Sequence, residues 1–408
     1  MPVGYLVTVA SVAAGTLFAL IPVRRPRPLA TLAYRLGLLV NELPFVSLAW
    51  LLLWTANAFT QGDVHEPAGW TAAAVAAATA AGLPIVVRRA LRARPVVEHA
   101  LAEGLGPSWR AAIAPDTAAG LRRRHPLARI LLRPFPRRPR TVTRVPNLAY
   151  GPAGRRHRLD VLHHRSRPDG APLLIHLHGG AYHGGRKNSE SMPLLHRLAG
   201  RGWVCVSANY RLRPEVQHPE HLIDLKRVIA WTRDHAHAYG ADPATLFVAG
   251  SSAGAHMASL AALTAGDPAL QPGFETADTS VTAVIGLNGY YGPYYGQGPE
   301  SCPSTHVTAD APPFLLVHGD HDTIVPVTVA RRFADDLRAV SAGPVVYAEL
   351  PGAQHAFDLF HSLRNEAVVD AVEAFAAWVR SDGRVPEPPC PATDRRRPRR
   401  GNPAGEPA

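Results

Sequence analysis

Residues 245–254 read Thr-Leu-Phe-Val-Ala-Gly-Ser-Ser-Ala-Gly. The run Leu246-Phe247-Val248-Ala249 is short, apolar and unbroken, the form of a strand buried on both faces. Gly250-Ser251-Ser252-Ala253-Gly254 follows and opens an alanine-rich helical stretch, Ala253–Ala265. Strand, G-x-S-x-G and helix in that order form a nucleophile elbow, which lifts the central serine onto a strained tip. Ser252 is therefore the candidate nucleophile. The glycines leave out Cβ atoms where strand and helix approach closely. Ser251, in the wrong position of the motif, reads as a local partner.

Working outward, further apolar runs predict strands over 172–177, 203–208, 281–287, 313–317 and 345–350. Helical patterns fall between them at 221–239, 327–340 and 366–380. This alternation predicts a mostly parallel sheet with helices on both faces, whose active site lies at the carboxyl ends of the strands. The expected fold class is α/β, an α/β-hydrolase fold, preceded by an α-helical transmembrane segment.

Three more motifs fall at those strand ends. His178-Gly179-Gly180-Ala181-Tyr182 follows the first strand. A glycine-rich loop there turns backbone N–H groups toward a developing oxyanion, so Gly179, Gly180 and Ala253 are the candidate donors. His178 reads as a loop-fixing partner. His318-Gly319-Asp320-His321-Asp322 follows the strand over 313–317, and Pro351-Gly352-Ala353-Gln354-His355 follows the last strand. The order Ser, Asp, His is that of the fold's triad, with His355 as general base. Asp320 and Asp322 compete as the acid, and Asp322 is preferred. The chain has 20 histidines, but neither H-E-x-x-H nor a Cys/His zinc spacing occurs, and no metal or cofactor is expected. His256 in the elbow helix reads as structural. Tyr182, Tyr291 and Tyr294 are candidate substrate-binding residues, the last two from the aromatic stretch 290–295.

From about Arg158 to Val379 the chain resembles the hormone-sensitive-lipase-like α/β-hydrolases, and more narrowly their actinobacterial esterase/lipase branch with an apolar N-terminal extension. The resemblance rests on His178-Gly179-Gly180, Asn209-Tyr210-Arg211-Leu212 with Pro214-Glu215, the elbow, Pro312-Pro313-Phe314-Leu315, His318-Gly319-x-x-Asp322 with Val325-Pro326, and His355-Ala356-Phe357. It implies carboxylic-ester hydrolysis without a cofactor and places the acid at Asp322. Two departures blur the subfamily. Ala181 stands where many members carry a third glycine. Ser251 and Ala255-His256 stand where many carry Asp and Gly-Asn.

The N-terminal part differs in kind. Three apolar runs, at about 4–23, 36–59 and 69–87, are long enough to cross a hydrocarbon core of ~30 Å. Asn41, Glu42 and Pro44 interrupt the second, so its span is expected to start near Leu43 or to be a broken helix. Arg24, Arg25 and Arg27 follow the first run, and Arg88, Arg89, Arg92 and Arg94 follow the third. The loop after the second, Gln61–Pro67, holds neither Lys nor Arg. The positive-inside rule then places the segment after Val87 in the cytoplasm. The alternative is a soluble helical cap.

Residues 1–94 are thus expected to be transmembrane helices, 95–145 a basic linker or cap, 146–380 the catalytic domain, and 381–408 a disordered Pro/Arg-rich tail. Lys and Arg number 43 against 32 Asp and Glu, a formal charge of +11. The arginines cluster beside apolar runs, which favours an anionic leaflet over nucleic acid as partner. Three cysteines, Cys205, Cys302 and Cys390, are too few and too far apart for a disulfide framework and fit a reducing compartment. The expected function is a serine carboxylesterase or lipase acting on a small-molecule or lipid ester. An amidase, deacetylase or acyltransferase shares the same triad. An inactive hydrolase fold serving as a membrane-anchored binding module is the reading from another class. Oligomeric state, acyl length and alcohol group are not legible.

Overall fold

The computed structural model describes residues 3–122 and 124–381. The catalytic part is built on one eight-stranded sheet in the order β1-β2-β4-β3-β5-β6-β7-β8. Its strands are β1 (Val142–Ala149), β2 (Arg158–His164), β3 (Ala171–Leu177), β4 (Val204–Ala208), β5 (Ala241–Ser251), β6 (Ala283–Leu287), β7 (Phe314–Gly319) and β8 (Val345–Leu350). The six strands from β4 to β8 in this order pair in parallel, whereas β1 and β2 add an antiparallel edge. Strands β3, β4, β6 and β7 are buried along their whole length, as apolar runs in a doubly covered sheet must be.

Twelve α-helices lie among the described residues. Five come first, before residue 106: α1 (Val3–Leu20), α2 (Arg27–Glu42), α3 (Pro44–Thr60), α4 (Pro67–Leu91) and α5 (Ala93–Leu105). Two short ones follow, α6 (Pro115–Gly120) and α7 (Leu127–Leu132). The rest alternate with strands: α8 (Met192–Gly200), α9 (Glu220–His235), α10 (Ala253–Leu263), α11 (Val327–Val340) and α12 (Leu363–Arg380). One face of the sheet is covered by α9, α10 and α11 and the other by α5, α8 and α12.

One boundary is as expected and one differs. The second apolar run is a broken helix, interrupted at Leu43 between Glu42 and Pro44. Pro44 has no N–H to continue the ladder of α2, and α2 and α3 meet at a bend of 92°. The stretch expected as a linker belongs largely to the catalytic unit. Val97, Ala100 and Leu101 of α5 are buried in the core shared with α12 and β8. Gly104 lies so close to β8 that a Cβ there would sit 2.7 Å from the Val345 carbonyl oxygen. Arg94 and Arg122 pair with Asp370 at 2.6 and 2.8 Å, and β1 begins at Val142. The Pro/Arg-rich tail lies, beyond Ser381, outside the described residues, as does Cys390.

The first four helices form a bundle whose directions can be read from its contacts. Tyr5 and Val9 of α1 pack with Ala72 and Ala76 of α4, and Ala19 packs with Leu83 and Val86, so α1 and α4 run the same way. Leu51 and Ala58 of α3 share the Tyr5 cluster, and a Cβ on Gly4 would touch Trp54 at 3.2 Å, so α3 runs against them. Helix α2 instead lies along the catalytic domain. Near its start the Ala30 carbonyl accepts from Thr323 Oγ1 at 3.1 Å, and at its end Asn41 donates to the Gly352 carbonyl at 2.6 Å. Glu42, an expensive residue in lipid, meets protein: its carboxylate accepts from Ser362 at 2.6 Å and from Arg364 at 3.3 Å, with both charges fully buried.

A buried pair with one partner removed leaves a bare charge, which costs ~3–5 kcal/mol. Arg364→Met is therefore expected to lower the melting temperature of the full chain in detergent by several degrees. Adding Glu42→Leu should restore most of the loss. An unchanged melting temperature for the single variant would mean the pair does not hold α2 to the domain.

Candidate active site

The elbow is set by strand β5 and helix α10. Ser252 sits between them at φ 54°, ψ −116°, a conformation that costs a non-glycine residue ~1–3 kcal/mol. Flanking glycines make the turn possible: a Cβ on Gly250 would lie 2.2 Å from the Gly254 carbonyl, and one on Gly254 2.2 Å from the Leu177 oxygen. Ser252 is left half-buried at the ends of β3, β5 and β6.

Loops after β7 and β8 bring the other two groups. Ser252 Oγ lies 3.0 Å from His355 Nε2, and His355 Nδ1 lies 2.7 Å from Asp322 Oδ2. With Nδ1–H donating to the carboxylate, Nε2 is left to accept from the serine hydroxyl. Asp322 is buried, and its other oxygen accepts from the N–H groups of Ile324 and Val325 at 2.8 Å each. His318 Nε2 lies 3.3 Å from the oxygen that holds His355. Burial pushes the Asp322 carboxyl up, but His355 and His318 outweigh it and hold it well below the usual range. Burial pulls His355 down, but the Asp322 charge and hydrogen bond outweigh it, helped by Glu190 and Asp358, so its pKa is raised. Asp320 is elsewhere: its carboxylate accepts from the Gly352 N–H at 2.6 Å.

The glycine-rich loop differs in part from expectation. Gly179 N–H donates to Glu190 Oε2 at 2.5 Å, so this amide is already committed. Gly180 at φ 105° and Ala181 at φ 50° carry the loop past the serine. The N–H groups of Gly180, Ala181 and Ala253 have no acceptor among the described residues. Tyr210 stacks on His178 at 4.4 Å and donates to its carbonyl at 2.9 Å, which anchors the loop from below.

Three residues near the triad had no signal in the sequence. Glu190 lies eleven positions beyond Gly179 in an unremarkable polar stretch. Burial and the neighbouring Asp358 raise its carboxyl to about 7, although the Gly179 N–H opposes this. Asp358 itself accepts from Ser251 at 2.6 Å and Ser191 at 2.5 Å, forming a polar layer under the elbow. Tyr34 of α2 meets the His355 ring edge-on at 5.9 Å. It comes from a helix whose pattern reads only as apolar.

The candidate tyrosines are placed differently from an open acyl pocket. Tyr291 is 2% exposed and stacks on Phe333 of α11 at 4.5 Å. The 500 Å³ cavity it lines contains no triad residue. Tyr294 bonds His221 Nε2 at 2.9 Å, and Tyr182 bonds His256 Nδ1 at 2.6 Å. These hydroxyls are buried and have found partners, as buried phenols must. His256 also bonds the Gly292 carbonyl at 3.0 Å, a structural role.

The BD-FAE family model matches residues 159–294, and the prolyl oligopeptidase family model matches 278–382. The probable carboxylic ester hydrolase LipM of Mycobacterium tuberculosis is 38% identical, covering 96% of this chain and 96% of LipM. The chain belongs to the hormone-sensitive-lipase-like esterases of the α/β-hydrolase family. Esterase LipQ of the same organism is 38% identical over 70% of this chain and 75% of its own length. A solved structure, apo esterase 2 of Thermogutta terrifontis, is 26% identical and covers 56% of this chain and 90% of its own, with a TM-score of 0.48. This chain is thus a carboxylic ester hydrolase.

Proposed function

We propose that Ser252 is the nucleophile of this esterase, His355 its general base and Asp322 the group that orients and charges the base. The observation that carries the reading is the unbroken path Ser252–His355–Asp322, at 3.0 and 2.7 Å. His355 takes the hydroxyl proton as Oγ attacks the ester carbonyl. The N–H groups of Gly180, Ala181 and Ala253 receive the oxyanion. Gly179, an expected donor, acts instead through Glu190 to hold the loop. Collapse expels the alcohol, which takes its proton from His355, and water hydrolyses the acyl-enzyme by the same steps. A fluorophosphonate probe should label Ser252 in the wild-type chain, read by mass spectrometry of the tryptic peptide. Labelling elsewhere, or none, overturns the assignment.

The raised pKa of His355 sets the pH profile. Only neutral imidazole accepts the serine proton, so kcat/KM should rise with pH along a limb lying above pH 6.5. Glu190→Gln removes one of the charges that raise His355, and should move that limb to lower pH. A limb that stays in place would mean the Glu190 charge is not felt at the base.

The same reading extends to the membrane. Helices α1, α3 and α4 are the three spans, and α2 lies between bilayer and active site. Support comes from their antiparallel order and from large apolar side chains left outward, among them Val7, Leu17, Leu53 and Ile85. Helices α1 and α4 are each long and apolar enough to cross, and α2–α3 passes that test only as a bent pair. The Arg-rich ends lie together on the catalytic side: Arg24 donates to the Asp320 carbonyl and Arg89 to that of Leu20. The positive-inside rule then makes this side cytoplasmic. Tyr34 at the base suggests an apolar ester, small or lipid, arriving from the bilayer side. A fluorescent reporter fused after Ala408 should glow in the cytoplasm. Alkaline phosphatase activity at the same junction would reverse the topology, and extraction by carbonate would remove the spans.

A further inference from the structure

Beside the bundle, the segment 127–140 and helix α8 enclose an open cleft of about 810 Å³. Five arginines of one stretch line it: Arg129, Arg133, Arg137, Arg138 and Arg140. Arg197 and Arg201 of the opposite wall face them, and no carboxylate lines the cleft among the described residues. Outside it, Glu373 answers Arg197 and Arg201, and Glu366 lies 3.8 Å from Arg129. The other four have no acidic partner among the described residues. Histidines 196 and 361 complete the wall. His196 is 8% exposed, and its Nδ1 is buried without a hydrogen-bond partner. Burial, with His361 and Arg138 nearby, holds this ring down at about 4, so it is neutral at pH 7.

The position of the cleft says which anion it meets. Ile130 of α7 packs in one cluster with Phe45 at the start of α3 and with Val87 and Ala90 at the end of α4. These are the catalytic-side ends of the helices read above as spans. Leu127, Leu131, Leu132 and Phe135 of the same segment are exposed, with Leu132 at 79%. Four outward apolar side chains beside an arginine cluster, four of whose members have no acidic partner among the described residues, match the boundary between acyl chains and headgroups.

We propose that this cleft binds the phosphate-bearing headgroup of an anionic phospholipid in the leaflet on the catalytic side. The leaflet assignment rests on the three-span reading; the anion site itself does not. The guanidinium groups would take the phosphate oxygens, bidentately where the planar fork allows. The exposed leucines would lie along the acyl chains. Helix α8, whose Pro193 and His196 line the cleft, begins directly after the Glu190–Ser191 pair beneath the elbow. A bound lipid would thus brace the wall that carries the oxyanion loop's partner.

The test uses the full-length chain in neutral detergent, titrated calorimetrically with dioctanoyl phosphatidylglycerol. Saturable binding is expected, weakened at least tenfold in the triple variant R137A/R138A/R140A and falling with added salt. Dioctanoyl phosphatidylcholine should not compete. Inorganic phosphate should displace the lipid only at more than a hundredfold higher concentration. Turnover of p-nitrophenyl butyrate should be unchanged in the triple variant, which also shows that it folds. Should it fail to fold, Arg138→Gln and His196→Phe each serve in its place, with at least a threefold loss expected. Equal binding of lipid by wild type and variants overturns the proposal. So does inorganic phosphate competing as well as the lipid, which would make this a free-anion site. Failure of the spans would appear separately, as carbonate extraction with lipid binding in detergent intact.

Discussion

Ser252→Ala is expected to lower kcat for a soluble ester such as p-nitrophenyl butyrate by about 10⁵–10⁶-fold, the scale on which nucleophile loss acts in serine hydrolases. In the proposed mechanism this hydroxyl begins the reaction, and no other group takes its place. His355→Ala should cost about as much, because Oγ, 3.0 Å from Nε2, then has no acceptor for its proton. The two losses should not add: the double variant should be no worse than either single one, since both remove the same step. Neither change should disturb the fold. Ser252→Ala removes one oxygen at a half-buried tip, and the strained φ of 54° is held by β5 and α10. Steady-state rates with matched circular dichroism check this. A folded Ser252→Ala enzyme with more than a hundredth of wild-type turnover would remove Ser252 from the mechanism.

Asp322→Asn should lower kcat by about 10⁴-fold while leaving the chain folded, since an amide fits the site but favours the wrong imidazole tautomer. Three hydrogen bonds fix the present carboxylate: His355 at 2.7 Å and two backbone N–H groups at 2.8 Å. In the amide, the NH₂ turned toward His355 forces Nδ1 to accept, so Nε2 carries the proton and no longer serves as base. The acid limb of the pH profile should also move down, because the charge that raises His355 is gone. Asp320→Asn should cost less than tenfold. Its carboxylate accepts from Gly352, two residues from His355's own loop partner Gln354, and touches neither triad atom. If Asp320→Asn proved the more damaging change, the acid has been misassigned.

Much of the site was legible because its parts are local. An elbow needs a strand, two glycines and a helix within a dozen residues, and those constraints are written contiguously. The loops bearing Asp322 and His355 follow strands whose unbroken apolar runs mark them as buried. The antiparallel edge was harder to read. Strand β1 has one buried position, Val142, and is otherwise half-buried or exposed, and its pairing with β2 breaks register between Val145 and Leu148. Segment 95–145 looked like a basic linker or cap because its arginines dominate the composition. The carboxylate partners of Arg122, Glu366 and Asp370, lie some 250 residues away in α12. The tyrosines at 291 and 294 were ambiguous for a related reason. Aromatic residues near a strand end suit a pocket or a core equally, and Phe333 and His221 settle them into packing.

The amino-acid sequence by itself determined the parallel sheet, the elbow, the order of the triad motifs and the presence of three apolar runs. These follow from short-range periodicity and from turns that only certain residues can make. Tertiary structure alone decided which partners meet across long separations. It paired Glu42 with Arg364, engaged Gly179 with Glu190, set Tyr34 against His355 and folded α2 back along the catalytic domain. Such contacts depend on how helices pack in three dimensions, and a buried charge or amide takes whichever complementary group the packing brings to it. No local pattern encodes that choice.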